Sequence, residues 1–444
     1  MIPTMPIFGL LKNKVHILLI NLFLLVGAPN LGFENLLTSI LALFLVTFVS
    51  FVVFRDKLIY MLLTLTTILA FYTFLKGFHI YFAVGMICGF FITYFLNFIG
   101  LIKRSAIFVI IVTFLALSWA SSAPVRGVLS SDLSKYAYNN DPGVFLKTYY
   151  LIEQNVNYYD ALNSAQLGRF GQHIVNGDVW GWRLPTIFYI WKYLPSSSGL
   201  SIYALFLILA SALLLVSYKI GRRYLGARLA ILPSYLLFPY LHYAGRDQTF
   251  LQTEWWSVPI FVIAIYLFIT RKHFYSIILL SLTVLIREVY IFPIGLIFIY
   301  LFITQKKNSR LFLIPIIAFL ILFIFHISRV NYYIDAYGTL LSPRVVSNGL
   351  LFVQQTLAFA SWEYLLFQFR PFIIFLVASL FGCFYIYKNI NKNEGILWTL
   401  TFLPFPIAFL RFGTLPYNDY WGIIYMPTII ILAPLLLGLF KQRP

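Results

Sequence analysis

Residues 199–218 read GLSIYALFLILASALLLVSY, a run without one charged side chain, and Lys219, Arg222 and Arg223 follow at once. About 20 mostly apolar residues in helical form, at ~1.5 Å each, match the ~30 Å hydrocarbon core of a bilayer. Working outward, comparable apolar runs occupy 15–27, 36–54, 58–75, 78–100 and 105–123 before it. After it come 229–243, 254–270, 273–287, 289–304, 310–329, 371–387, 396–411 and 420–440. The 444 residues are 61% hydrophobic and 10% charged, with a mean hydropathy of +0.88. Unbroken apolar runs exclude strand-type barrels, which alternate polarity along each strand. The expected fold is therefore all-α, a polytopic transmembrane helical bundle of about 14 spans. Both termini are expected in the cytoplasm, and the first run is read as a span, because it lacks a small-residue cleavage site. Cys88 and Cys383 lie inside apolar runs and give no disulfide framework.

A net charge of +18 could suggest nucleic acid, but the basic residues are spread between apolar runs, with no basic block and no nucleic-acid motif. With the N-terminus inside, more than half of them fall in short cytoplasmic loops, as the positive-inside rule requires. Of the 14 acids, Asp56 and Glu394 alone fall inside. Either outward carboxylate chemistry or ordinary solvation of larger outer loops accounts for that bias.

Two segments do not fit as spans. Residues 185–195 (PTIFYIWKYLP) are too short to cross and are bracketed by prolines. Residues 350–368 are made amphipathic by Gln354, Gln355, Thr356 and Glu363, and are expected to lie flat on the outer surface. The large polar segment 124–184 is an outer loop. In it Asp141-Pro142 reads as a helix start, with Asp as cap and Pro in the first turn. Val144, Phe145, Tyr149 and Ile152 repeat at helical spacing, so an amphipathic surface helix follows. The loop's many tyrosines are expected at the headgroup region.

Walker loops, HExxH, CxxC pairs and GxSxG are all missing from the sequence, which disfavours ATP-driven pumping. Ionisable residues at mid-span and broken helices in matching halves, the marks of coupled transporters, are not evident either. The six histidines show no metal spacing.

Residues 141–160, DPGVFLKTYYLIEQNVNYYD, are followed by GWRLPTIFYIWKYLP at 181–195. Together they resemble the first outer loop of the GT-C glycosyltransferases, polytopic enzymes that use polyprenyl-phosphate-linked sugars. Residues 253–268 (TEWWSVPIFVIAIYLF), then Arg271-Lys272 and LIREVY at 285–290, are similar to that superfamily's paired helices carrying an outer Arg-Glu. The likeness covers roughly residues 105–330. Many members have one span before the acidic loop, whereas five precede it here. The resemblance implies three parts: N-terminal transmembrane helices over 1–104, a GT-C-like core with its outer loop over 105–330, and C-terminal helices with the 350–368 segment over 331–444.

It also implies an inverting transferase of the plasma membrane, its site on the extracytoplasmic face. A sugar would pass from a polyprenyl-phosphate donor to a glycan, lipid or protein acceptor. One carboxylate must take the acceptor hydroxyl's proton. Asp141 is the candidate base, with helix capping alone and Asp132 as base left open. Asp160, in NYYDAL, reads as a turn residue. Arginines should meet the charge gathering on the departing phosphate. Arg287, Arg246 and Arg183 are the candidates, against an ion pair for Arg287 and a solvated turn for Arg246. Glu254, placed with Tyr149 in the substrate-binding set, could cap its helix or bind a metal. Trp255 and Trp256 read as an interfacial belt or a sugar-stacking pair, and His242 as a polar residue near a helix end. No cofactor is expected, although a divalent metal is compatible with the chemistry. Membrane lipids are the other expected partners. Two other readings remain: a surface-polysaccharide polymerase or ligase, and a non-enzymatic lipid-linked-sugar transporter.

Overall fold

The structure, a computed structural model, describes residues 107, 110–112, 114–115, 118–119, 122–131, 140–167, 174–195, 199–227, 229–246, 248–340, 349–359, 373–413 and 419–440. Two compact units divide the chain, residues 1–121 with 362–370 and residues 122–361 with 371–444. All described residues from 122 onward belong to the second unit. The expected spans at 15–27, 36–54, 58–75 and 78–100 lie outside the described residues, as do Asp132 and all of 360–372.

The described residues are mostly helical. Ahead of the first long helix come α1 (Ala123–Ser130), α2 (Asp141–Glu153), α3 (Tyr158–Leu167), strand β1 (Ile174–Asn176) and α4 (Thr186–Lys192). Next are α5 (Leu200–Leu225), α6 (Leu232–Arg246), α7 (Glu254–Ile269), α8 (His273–Ile286), α9 (Ile291–Thr304) and α10 (Lys306–Ala336). Strand β2 (Gly338–Leu340) precedes α11 (Gly349–Ala358), α12 (Ile373–Asn389), α13 (Lys392–Phe402), α14 (Pro404–Phe409) and α15 (Met426–Leu432). Among the described residues, two helices are long and apolar enough to cross a membrane, α5 and the Asn308–Ala336 part of α10. Both continue past their apolar runs, α5 through Arg222 and Arg223, α10 through Arg329 and Asp335.

The expected continuous helix over 396–411 is instead divided into α13 and α14. Pro404 and Pro406 each remove a backbone donor there and crowd the preceding turn. The 420–440 run is likewise divided, into 3-10 turns at Asp419–Ile424 and Ala433–Phe440 around α15, with prolines at 427 and 434.

Helix α7 is apolar on every side, and a helix of that kind is stable only when surrounded. It packs against α8, α5, α13, α15 and the Asp419–Ile424 turn, which makes it the centre of the unit. Helix α10 is one-sided. It packs on α8 and α9, while Ile314, Ile317, Ile321, Ile324 and Phe325 point outward at helical spacing. Phe292, Leu296, Ile299 and Ile303 of α9 form a second exposed row, and Ile373, Val377, Phe381 and Phe384 of α12 a third.

In α2 the predicted face of Val144, Phe145, Tyr149 and Ile152 is buried, but so are Pro142, Gly143, Leu146 and Thr148. The helix is an enclosed element rather than an amphipathic surface one. Tyr158 and Tyr159 are also buried, with Tyr149, so these tyrosines fill a core instead of meeting headgroups. The 350–368 segment begins as a helix, α11, whose Phe352, Val353, Thr356 and Leu357 are buried. Three residues of β1 pair in parallel with β2, tying the loop before α4 to the end of α10.

Two corners share one device. After α2, the amide of Asn155 donates to Ile152 O (3.0 Å) and that of Val156 to Leu151 O (3.1 Å). After α7, the amide of Arg271 donates to Phe268 O (3.0 Å) and that of Lys272 to Leu267 O (2.8 Å). This is the paired bonding of the Schellman motif, which needs a left-handed residue at its hinge. Asn155 and Arg271 supply it, at φ 65° and 62°. Asparagine tolerates that conformation, whereas a long side chain with a Cβ costs about 1 kcal/mol. Melting of the purified chain should therefore rank Arg271→Gly above the native protein and Arg271→Val below it. An unchanged melting temperature in both variants would show that the corner carries no strain.

Candidate functional site

Asn140 caps α2. Its Oδ1 accepts from the Gly143 amide at 2.8 Å, with Pro142 in the first turn. Asp141 is thus the first helical residue rather than the cap, correcting the sequence expectation. Its Oδ2 accepts a hydrogen bond from the Tyr420 hydroxyl at 3.1 Å. Tyr420 lies in the turn Asp419–Ile424, packed on α7.

Arg183 reaches the same hydroxyl from a stretch of chain that is fastened on several sides. Asp178 caps the 3-10 turn Val179–Gly181 by accepting from the Gly181 amide at 3.0 Å. Gly181 lies so close to Asn176 that a Cβ would sit 2.6 Å from that residue's Cβ, so only glycine fits. Trp182 Nε1 donates to Asn176 O at 2.9 Å, and the Tyr158 hydroxyl donates to Arg183 O. His326 Nε2 donates to Trp182 O (3.1 Å), since a carbonyl can only accept. Its Nδ1 therefore accepts from the Tyr159 hydroxyl (3.1 Å). Arg183 itself donates through Nη1 to Trp180 O (3.0 Å) and through Nη2 to the Tyr420 oxygen (3.3 Å).

Beyond Tyr420 the charges continue inward. Arg183 Nη2 lies 3.7 Å from Glu254 Oε1, and Arg287 Nε lies 2.9 Å from the same oxygen. Arg287 Nη1 pairs with Glu288, and the Thr253 hydroxyl donates to Glu254 Oε2 at 3.2 Å. Glu254, Arg287 and Glu288 are 0–2% exposed. Arg183 is buried too. Burial opposes its charge, but Glu254, Tyr420, Glu288 and Asp141 outweigh that and raise its pKa. The two arginines carry +2 and the three carboxylates −3, a sum of −1 for the cluster. Asp141 is the most accessible of the five.

Four of the sequence candidates, Asp141, Arg183, Glu254 and Arg287, meet here. Arg287 is ion-paired with two glutamates, so its guanidinium is already matched within the protein. Glu254 neither caps α7 through its side chain nor joins a metal group. Among the described residues no three His, Cys, Asp or Glu side chains gather as a metal site. Tyr149 lies elsewhere, its ring edge-on to Trp191; burial, then the nearby Glu153, push its pKa up to about 12, so it stays neutral. The side chain of Arg246 lies outside the described residues.

Two other expectations are corrected. Trp255 and Trp256 are fully buried, neither belt nor sugar platform. Trp255 packs on Tyr240, and Trp256 packs on Trp191 while its Nε1 donates to Phe250 O (2.8 Å). Asp160 is helical, inside α3, where it accepts from the Tyr333 hydroxyl. Asn157 is the residue that serves that helix start, accepting from the amides of Tyr159 and Asp160. His242 does lie near the end of its helix, α6, where it is buried and stacked on Phe238.

Tyr420 is the residue that sequence reasoning missed. It lies 279 positions from Asp141, and nothing in PYNDYW distinguishes it from other aromatics near membrane surfaces. No known protein family, curated protein or solved structure matches this chain.

The charge matching makes a testable demand. Removing one partner of a buried ion pair strands the other, at ~3–5 kcal/mol. Glu254→Ala should lower the stability of the purified chain by about that much. The Glu254→Ala/Arg287→Ala double variant should lose clearly less than the sum of the single losses. Simple additivity would show that the two side chains do not interact.

Proposed function

We propose that this chain is a plasma-membrane glycosyltransferase of GT-C type, a bundle of about 14 spans. It would move a sugar from a polyprenyl phosphate to an acceptor on the extracytoplasmic face. The observation that carries this reading is Asp141. Its helix is capped by a neighbour, it remains partly accessible, and Tyr420 and Arg183 stand beside it. A membrane setting is supported by the exposed apolar rows of α9, α10 and α12, since soluble monomers rarely leave large apolar patches uncovered. The site's orientation is supported by the basic residues Lys219, Arg222, Arg223 and Lys272. They lie at the far ends of α5 and α7 from Glu254, as expected for a cytoplasmic side.

In the proposed reaction the acceptor hydroxyl gives its proton to the Asp141 carboxylate as its oxygen bonds to the anomeric carbon. The bond from that carbon to the phosphate oxygen breaks, and the lipid phosphate leaves with the electron pair. Arg183 donates to the Tyr420 oxygen, and Tyr420 donates to Asp141, so the carboxylate is held in a fixed orientation. With the cluster summing to −1, the two arginines offset the glutamates that hold them rather than presenting a net positive field to the departing phosphate.

Capping and catalysis separate by mutation. Asn140→Ala should cost about 1 kcal/mol of stability and leave transfer close to native. Asp141→Asn should reduce transfer by ~10²–10⁴-fold with little change in melting. Both are read as radiolabelled sugar released from the polyprenyl phosphate into product. Native turnover by Asp141→Asn would eliminate the assignment.

A further inference from the structure

The second notable cluster of charge lies away from the carboxylates. An open pocket of about 460 Å³ is lined by Val216, Lys219, Arg222 and Arg223 of α5 with Tyr266, Leu267, Thr270 and Lys272 at the α7–α8 corner. Glu254 opens α7 and Thr270 follows its last residue, so the pocket and the carboxylate cluster stand at opposite ends of one helix, ~24 Å apart at 1.5 Å per residue. The four cations are not equivalent. Arg223 makes a two-pronged contact with Glu394, Nε to Oε2 at 3.0 Å and Nη2 to Oε1 at 2.5 Å. Tyr224 donates to the same carboxylate at 2.6 Å. Among the described residues no carboxylate meets Lys219, Arg222 or Lys272.

Cations belong at the C-terminal ends of helices, where the macrodipole is negative. That preference explains their presence on α5. It does not explain why Lys272, from another element, closes on the same hollow, nor why Val216, Tyr266 and Leu267 form its other wall. Three cations against an apolar wall fit an anion that carries a hydrocarbon part. Immediately beyond Lys272, Phe274, Tyr275 and Ile278 are exposed, an outer apolar surface continuous in sequence with the charged rim.

We propose that this pocket holds the phosphate headgroup of an anionic glycerophospholipid, with the acyl chains lying along Phe274 and Ile278. Binding is electrostatic at the head and apolar along the chain, so neither a zwitterionic lipid nor free phosphate satisfies both parts. The inference needs a membrane around the helices but not the transfer reaction at Asp141.

The test uses the purified, delipidated full-length chain in a neutral detergent. Retention of phosphatidylglycerol, of phosphatidylcholine with the same chains, and of inorganic phosphate is read by native mass spectrometry. The native protein should retain phosphatidylglycerol at least about tenfold more strongly than phosphatidylcholine. The Lys219→Gln/Arg222→Gln/Lys272→Gln variant should bring the two to parity. Lys219→Arg/Lys272→Arg should keep the preference, as should Arg310→Gln/Lys388→Gln, which removes charge elsewhere. Equal retention of both lipids by the native chain would overturn the proposal. So would competition by millimolar inorganic phosphate, or an equal loss of preference in the Arg310/Lys388 variant.

Discussion

Glu254 is the fixed point of this architecture. A carboxylate removed from water is tolerated only where cations and donors replace its hydration. Here the replacement comes from distant parts of the chain: Arg183 before α4, Arg287 at the end of α8, and Thr253 alongside. Bringing them to one oxygen pair sets the approach of the 176–183 segment to the top of the central helix. Tyr420 then joins that segment to α2. The position of Asp141 is thus a consequence of how a buried charge is satisfied some residues away.

The same constraint shapes what the site can do. Arginines pinned by glutamates cannot swing freely onto a ligand, and in a cluster that sums to −1 their charge is spent on the buried carboxylates. The fastening of residues 176–183, by Trp182, His326 and Tyr158, holds Arg183 in register with Tyr420. At the other end of α5 and α7, Lys219, Arg222 and Lys272, which meet no carboxylate among the described residues, face a hollow, a different electrostatic arrangement suited to a bound anion.

Much of this was legible in the sequence. Uninterrupted apolar runs located α5 through α10 to within about four residues, except that α5 and α10 each run seven residues past the expected end, and charge placement singled out Asp141, Arg183, Glu254 and Arg287. Where the reading failed, the reason is local competition or distance. Asn140 took the cap from Asp141 because either residue can accept from a first-turn amide, and Asn is as good at it. Trp255 and Trp256 carry the composition of an interfacial belt, but their neighbours Tyr240, Trp191 and Phe206 enclose them, a fact of packing that no window of sequence holds. Prolines divided the last helices at positions where hydropathy alone predicted continuity. Tyr420 depended on a contact across most of the chain.

The most direct measurement is a cryo-electron microscopy structure of the full chain with a non-transferable polyprenyl-phosphate sugar. The anomeric carbon should lie within reach of an acceptor oxygen beside Asp141, with Glu254 still bridging Arg183 and Arg287. A donor seated away from Asp141, or one that draws Arg287 off Glu254 onto its phosphate, would contradict it.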